Sequence, residues 1–297
     1  MNAAFALILV SLGAGFALAR FRALPPDAAD TLNRFVIYVC LPALVLRLVP
    51  KLTFEPGLAV LAILPWALLG VGVAVVLASA RALRFSRTVT GALLLCVPLG
   101  NTSFLGFPMI AALVSPDAVR LAVVYDQAGS FLMLATYGLY VVARYSGVEK
   151  PTFRTVALRI VRFPPFIALL LALLPFRHPA ALESVLERLG EALVPVAMCA
   201  VGLTLKLRIP REPAAFAVGL GTKMLLFPFL GFVACTALGA RGLPMRVAVL
   251  ESAMPPMITA GALATMAGLT PELAAALVGY GVLISLLTLP IVAAHIG

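Results

Sequence analysis

Three ionisable side chains lie deep within apolar segments of this sequence: Asp126, Lys223 and Glu251. A charged side chain at the centre of a bilayer costs roughly 2.5–3.5 kcal/mol on insertion scales, so such residues usually pair, bind an ion or contact a solute. A fourth ionisable residue, Glu191, follows Arg188 by three residues near the end of a segment, which favours a paired role at the surface. The first three are therefore candidate site residues.

The composition predicts the class of protein that holds these residues. Of the 297 residues, 63% are hydrophobic and 11% are charged, which is typical of an all-α integral membrane protein. The net charge of +10 resides in short loops and forms no stripe, so we expect a lipid bilayer and no nucleic acid as partner. The four cysteines share no metal-ligand spacing, and we interpret them as buried apolar residues. No enzyme motif is present, and we expect no cofactor.

Ten apolar segments are long enough to be membrane spans. Connections after odd-numbered spans hold 14 Lys and Arg residues and the others hold 7, which predicts cytoplasmic odd-numbered connections and both termini outside. The predicted location is the inner (plasma) membrane. The ten spans are residues 2–19, 31–49, 57–80, 87–113, 119–143, 155–174, 184–205, 213–238, 245–267 and 272–295.

Spans four and nine are both interrupted. The first break holds Pro98 and Gly100, and the second holds Pro255 and Pro256. Proline lacks the amide that a helix interior needs, and glycine weakens a helix, so each span predicts two half-helices with these four residues as hinges. Inside lipid, such a break persists only where it is buried in protein or lines a wet cavity. A matched pair of interrupted spans indicates a binding site at their crossing.

The spacing of prolines suggests an inverted repeat. Pro42 lies 56 residues before Pro98, and Pro195 lies 60 residues before Pro255. A connector at 146–154 would then divide the chain into 5 + 5 helices, with the second group entering the membrane upside down and the fourth and ninth spans crossing. Because prolines are common in membrane helices, chance spacing is the alternative.

The residues after each break are suited to binding an anion. The first amides of a new half-helix lack partners and carry the positive end of the helix dipole. Asn101, Thr102 and Ser103 add side-chain donors at one break, and Thr259 adds one at the other. A carboxylate could bind there without arginine. The alternative is that the three polar residues only cap the half-helix.

The stretches CVPLGNTSFLGFPMI, ESAMPPMITAGALATMAG and LPALVLRLV resemble the auxin efflux carrier family, which includes plant carriers and bacterial proteins labelled malonate transporters. The chain lacks the long central loop of the plant branch. The resemblance implies a scaffold domain at 1–50 and 155–210 that forms a homodimer, and a transport domain at 51–145 and 211–297. It also implies that an organic anion binds at the crossing and is carried by an elevator-type movement.

A wider resemblance, to bile acid sodium symporters, concerns the acids. Glu251 with Met254, and Asn101 with Asp126 and Ser130, match positions at or near the two sodium sites of that family. The resemblance therefore implies Na⁺ at Glu251 and Asp126, whereas the two prolines of the second break replace polar amides found there. A proton on either acid could serve instead, because removal from water disfavours a carboxylate.

Lys223 has three possible roles from sequence. It could balance Glu251 or Asp126, it could meet the substrate carboxylate, or it could extend to the cytoplasmic interface. The sequence as a whole predicts a secondary transporter of a small mono- or dicarboxylate by alternating access, with Na⁺ coupling, H⁺ coupling and no coupling as open alternatives. A uniport carrier, a channel or a receptor on the same scaffold are the alternatives.

Overall fold

The structure, a computed structural model, describes residues 3–52, 57–146, 152–174, 179–205 and 210–296. These residues form helices and no strand, apart from one isolated β-bridge. Most of the predicted 146–154 connector lies outside them. The helices are α1 Ala3–Arg20, α2 Ala28–Lys51, α3 Gly57–Ala82, α4 Arg87–Cys96, α5 Thr102–Leu113, α6 Pro116–Ser146, α7 Phe153–Val161, α8 Pro164–Ala172, α9 Ala180–Glu191, α10 Leu193–Thr204, α11 Pro213–Ala237, α12 Gly242–Ser252, α13 Ile258–Met266 and α14 Pro271–His295.

Six of these helices, α1, α2, α3, α6, α11 and α14, are long and apolar enough to cross a membrane. The shortest has 18 residues, about 27 Å at roughly 1.5 Å per residue, close to the thickness of a bilayer core. The other four predicted spans each correspond to two shorter helices. Two of these, α4 with α5 and α12 with α13, are the interrupted spans that the prolines predict.

The predicted span 155–174 is also divided, between α7 and α8, which the sequence analysis did not anticipate. Phe163, the residue before Pro164, is extended (φ −76°, ψ 117°). The ring of a following proline clashes with a helical conformation of the preceding residue, and the helix therefore ends before it. Span 184–205 begins earlier than predicted, at Ala180, and has a turn at Ala192.

Three α-helical runs widen into a π-helical turn, and in each case the turn ends two residues before a proline. A proline ring clashes with the carbonyl four residues earlier, and an extra residue in that turn moves the carbonyl away. Two further π turns, at Asp126–Phe131 and Leu134–Gly138 in α6, precede no proline. The three turns before proline are Val36–Cys40, Thr102–Gly106 and Thr222–Leu226.

The contacts divide the chain into two compact units. The first unit comprises Met1–Phe54, Ser103–Val123 and Ala157–Leu205. Its closest packing is between α1 and α10, where a Cβ built on Gly15 would lie 2.1 Å from the carbonyl oxygen of Cys199. Only glycine permits this approach of two backbones.

An ion-pair group, the α2–α9 cluster, also belongs to the first unit and consists of Arg47, Lys51, Glu183 and Glu187. Arg47 bonds to Glu187 through Nη2, and Lys51 Nζ lies 2.8 Å from Glu183 Oε1. These side chains are 29–49% exposed, so each pair contributes modestly to stability.

The second unit comprises Glu55–Thr102, Val124–Val156 and Lys206–Gly297. Here α12 packs on α3 and α11, and α13 packs on α4 and α14. Glycines again mark close contacts, because a Cβ on Gly129 would lie 2.4 Å from Pro65 Cγ and one on Gly281 would lie 2.6 Å from Pro256 Cδ. All of the side chains described in the cavity below belong to this unit.

Candidate functional site: the crossed breaks

The two breaks lie side by side and pair through their backbones. The Asn101 amide donates to the Pro255 carbonyl at 2.8 Å, and the Met257 amide donates to the Leu99 carbonyl at 2.9 Å. Gly100 and Pro256 face each other between these bonds in an antiparallel bridge. Backbone groups left free by the broken helices thus find partners in protein, which a break inside lipid requires.

The double proline is compatible with this pairing. In an antiparallel pair of this kind, the amides of the two facing residues point away from each other, so Pro256 loses no interstrand bond. Pro255 contributes only its carbonyl, which it retains. The pair of prolines therefore ends α12 without leaving a required donor missing.

Asn101 is the polar side chain at the centre of the crossing. It is 1% exposed, and among the described residues neither its Oδ1 nor its Nδ2 has a hydrogen-bond partner. A buried carboxamide without partners costs about 1–3 kcal/mol per group, and a ligand that pairs with it recovers that free energy. Its side chain caps no helix, so capping does not explain this residue.

Thr102 and Asp126 are joined directly. The Thr102 hydroxyl donates to Asp126 Oδ1 at 2.5 Å, and Gln127 Nε2 donates to Asp126 Oδ2 at 2.7 Å. All three side chains are buried. Asp126 therefore accepts two hydrogen bonds and holds the first residue of α5 against α6.

Lys223 and Glu251 lie in the same part of the unit. Lys223 Nζ is 4.7 Å from the centroid of the Phe227 ring, a cation–π contact, and it lies 2.9 Å from where a Cβ on Gly100 would be. Glu251 is 1% exposed, and neither carboxyl oxygen has a hydrogen-bond partner among the described residues. The charges of Lys223 and Asp126 both act on Glu251. The three groups carry a net charge of −1 when all are ionised.

A small cavity lies between Lys223 and Glu251, and neither Asn101 nor Asp126 lines it. Its volume is about 10 Å³, room for about one water molecule. Its polar lining comes from Thr102, Tyr125, Ser130, Lys223 and Glu251, and the remainder is largely apolar. The arrangement is a buried ionic cluster, and an organic acid enters it only if the surrounding helices move.

The structure brings together most, but not all, of the predicted site residues. Gly100, Thr102, Ser130, Lys223 and Glu251 share the cavity wall with Pro98. Met254, Pro255 and Pro256 are buried at the crossing. Thr259, by contrast, lies in the first turn of α13 with an exposed side chain, and Ser103 is half-buried.

Three site residues were missed from sequence: Tyr125, Gln127 and Phe227. Tyr125 and Gln127 flank Asp126, and Phe227 follows Lys223 by four residues, which places both on one helix face. An aromatic residue one turn from a buried lysine is a signal that sequence reading could have used. Glu191 is 60% exposed and lies 3.9 Å from Arg188, as its spacing predicts.

The cluster can be compared with what a sodium ion requires. Sodium prefers several oxygen ligands, and Thr102, Tyr125, Ser130 and Glu251 bring oxygen atoms to the cavity. The ammonium of Lys223 lines the same cavity, however, and would repel a second cation. Within the described residues, no group of three or more His, Cys, Asp or Glu side chains could hold a metal ion.

Membrane-length helices, two crossed breaks and a buried ionic cluster define a multi-pass membrane protein with a polar site in its interior. The family described as membrane transport protein, which contains the auxin efflux carriers, matches residues 1–293, and this chain belongs to it. The family resemblance predicted from sequence is therefore confirmed.

Three curated relatives are similar to this chain over most of its length. An uncharacterized transporter of Methanothermobacter thermautotrophicus is 30% identical over 96% of this chain and 94% of its own length. A protein of Rhizobium meliloti named "Putative malonate transporter" is 30% identical over 92% of this chain and 89% of its own length. An uncharacterized transporter of Methanocaldococcus jannaschii is 26% identical over 84% of this chain and 83% of its own length. The names describe transporters and not enzymes, as expected from sequence.

Proposed function

We propose that this protein is a secondary carrier of a small organic anion, which binds at the crossing of the two breaks. The observation that carries the proposal is the buried Asn101 carboxamide beside the paired breaks, with neither of its polar atoms bonded among the described residues. A carboxylate accepts hydrogen bonds from the Nδ2 group, and the start of α5 lies directly after Asn101. The dipole of α5 adds to this attraction.

Charge restricts how an anion enters. With Asp126, Lys223 and Glu251 ionised, the cluster has a net charge of −1, and a monocarboxylate entering alone would double it. Lys223 is the one cationic side chain on the described cavity wall and offers a direct partner. Co-transport of a proton or Na⁺ would keep the net charge unchanged, and both forms of coupling, like uncoupled uniport, stay predictions.

Alternating access is the mechanism that the size of the cavity favours. About 10 Å³ accommodates one water molecule, so a mono- or dicarboxylate requires an opened state. We propose that the opening follows an elevator-type movement of the transport domain, 51–145 and 211–297, against the scaffold, 1–50 and 155–210. The proposal includes a 5 + 5 inverted repeat, a homodimer formed by the scaffold, and a plasma-membrane location with both termini outside.

Malonate is the first probe, because one relative carries that name and a dicarboxylate matches a site with two kinds of anion partner, the Asn101 carboxamide and Lys223. We expect saturable uptake of radiolabelled malonate into proteoliposomes containing the full chain. Thermal unfolding with a panel of mono- and dicarboxylates identifies better ligands, since a ligand stabilises by RT ln(1 + [L]/Kd).

Two variants make the test specific. Asn101→Ala removes the carboxamide and should abolish saturable uptake, whereas Asn33→Ala, the same change in α2, should leave it intact. Uptake that survives Asn101→Ala for every acid that the wild type carries would refute the proposed site. Unitary currents that do not saturate with malonate would show a channel instead.

A further inference from the structure

The cation position beside Glu251 is already filled by a residue of the chain itself. Lys223 lies on α11, is 3% exposed, and lines the same cavity wall as Glu251, Thr102 and Ser130. These are the oxygen-bearing side chains that a sodium ion would need. The ammonium therefore occupies the region in which an external cation would have to bind.

Local structure holds the ammonium there. The π turn Thr222–Leu226 displaces Lys223 from the regular helix face, and Pro228 explains the position of that turn. The Phe227 ring lies 4.7 Å from Nζ on one side. On another side, Gly100 has no side chain, and a Cβ there would come within 2.9 Å of Nζ. A residue with a side chain in place of Gly100 would therefore displace the ammonium.

We propose that Lys223 is the resident counter-cation of this site, which makes sodium unnecessary for folding and for transport. Lys223 and Glu251 line the same cavity wall, while the Asp126 side chain accepts hydrogen bonds from Thr102 and Gln127. The consequence for transport, sodium-independent uptake, rests on the proposed function. The charge balance itself does not, and it can be tested without a substrate.

The groups that face the cluster from each packed helix support this balance. From α6 come Tyr125 and Asp126, and from α11 comes Lys223. From α3 the cavity receives Pro65 and Leu68, which carry no charge. Lys223 is thus the sole cationic side chain on the described cavity wall, and its removal leaves a buried cluster of net charge −2.

The test measures thermal unfolding of the purified full chain in NaCl or choline chloride at one ionic strength and pH, with no substrate. The wild type should unfold at the same temperature in both salts. Lys223→Met keeps the length and apolar character of the side chain but removes the charge. It should unfold at a lower temperature in choline chloride and be restabilised by NaCl in a saturable manner, following RT ln(1 + [L]/Kd).

The matched control is the double variant Lys223→Met/Glu251→Gln, which removes one cation and one anion together. Its unfolding temperature should again be the same in the two salts. Sodium-specific stabilisation of the wild type overturns the proposal, and so does a folded Lys223→Met variant that ignores sodium.

A second measurement covers the case in which Lys223→Met does not fold in either salt. Equilibrium binding of radioactive sodium to the wild type should then show no bound ion, and a stoichiometric bound ion overturns the proposal. Neither measurement involves an organic acid, so failure of the proposed transport function would be recognised separately, as absent uptake.

Discussion

The hydrogen bond between Thr102 and Asp126 links the start of α5 to α6, and its removal should destabilise the protein measurably. Thr102→Val replaces the hydroxyl by a methyl group of the same shape. The 2.5 Å bond goes to a carboxylate, both side chains are 1% exposed, and a hydrogen bond to a charged group contributes about 1.5–3 kcal/mol. By the scaling for larger domains, about 2–4 °C per kcal/mol, this corresponds to a decrease of roughly 3–12 °C in the unfolding temperature.

Intrinsic fluorescence is a suitable assay, because the chain has one tryptophan and it lies near this contact. Trp66 Nε1 donates to the Ala128 carbonyl, two residues after Asp126, at 2.9 Å. Thr102→Ser keeps the hydroxyl and should retain most of the stability. Thr236→Val changes an exposed threonine that bonds within its own helix and should have little effect. If Thr102→Val and Thr102→Ser unfold at the same temperature, the contribution assigned to this bond is wrong.

Three further changes test packing and charge. Gly15→Ala should destabilise the protein by about 1–3 kcal/mol, because the new Cβ meets backbone of α10 that cannot move aside. The control is Gly13→Ala on the same helix, where a Cβ has nothing within 4 Å and should be neutral or stabilising by up to about 1 kcal/mol. Equal unfolding temperatures for the two variants would contradict this prediction. Gly281→Ala places a Cβ 2.6 Å from Pro256 Cδ, so we expect a folded protein with slower malonate uptake, and unchanged kinetics would argue against coupling between α14 and the second break. Arg47→Met weakens the half-exposed α2–α9 cluster and should lower the free energy of unfolding by no more than about 1 kcal/mol, and by less at high salt. A larger or salt-independent loss of stability in thermal unfolding would contradict the surface character assigned to the cluster.

Much of the site could be predicted from sequence because proline constrains the backbone locally. Pro98 and Pro255–Pro256 lack amides that a helix needs, and the breaks occur at those residues and pair with each other. Charged residues in apolar spans were similarly informative, since Lys223 and Glu251 line the same cavity. Each signal comes from the kind of residue alone, proline in one case and a charged side chain in the other, and does not depend on which face of a helix the residue occupies.

The directions of side chains near the breaks could not be predicted in this way. A π turn inserts one residue and shifts the helix face by about 100°, so 3.6-residue periodicity loses its phase in α6 and α11. Thr259 was expected at the site but is exposed, because the length and path of the second break set the rotation of α13.

A three-dimensional reconstruction of the protein in lipid nanodiscs, with the organic acid that stabilises it best, tests the central claim most directly. We expect spans four and nine to be interrupted and paired, with the carboxylate of the acid next to Asn101 and the first amides of α5. Continuous helices in place of the breaks, or an acid bound away from the crossing, would contradict the account.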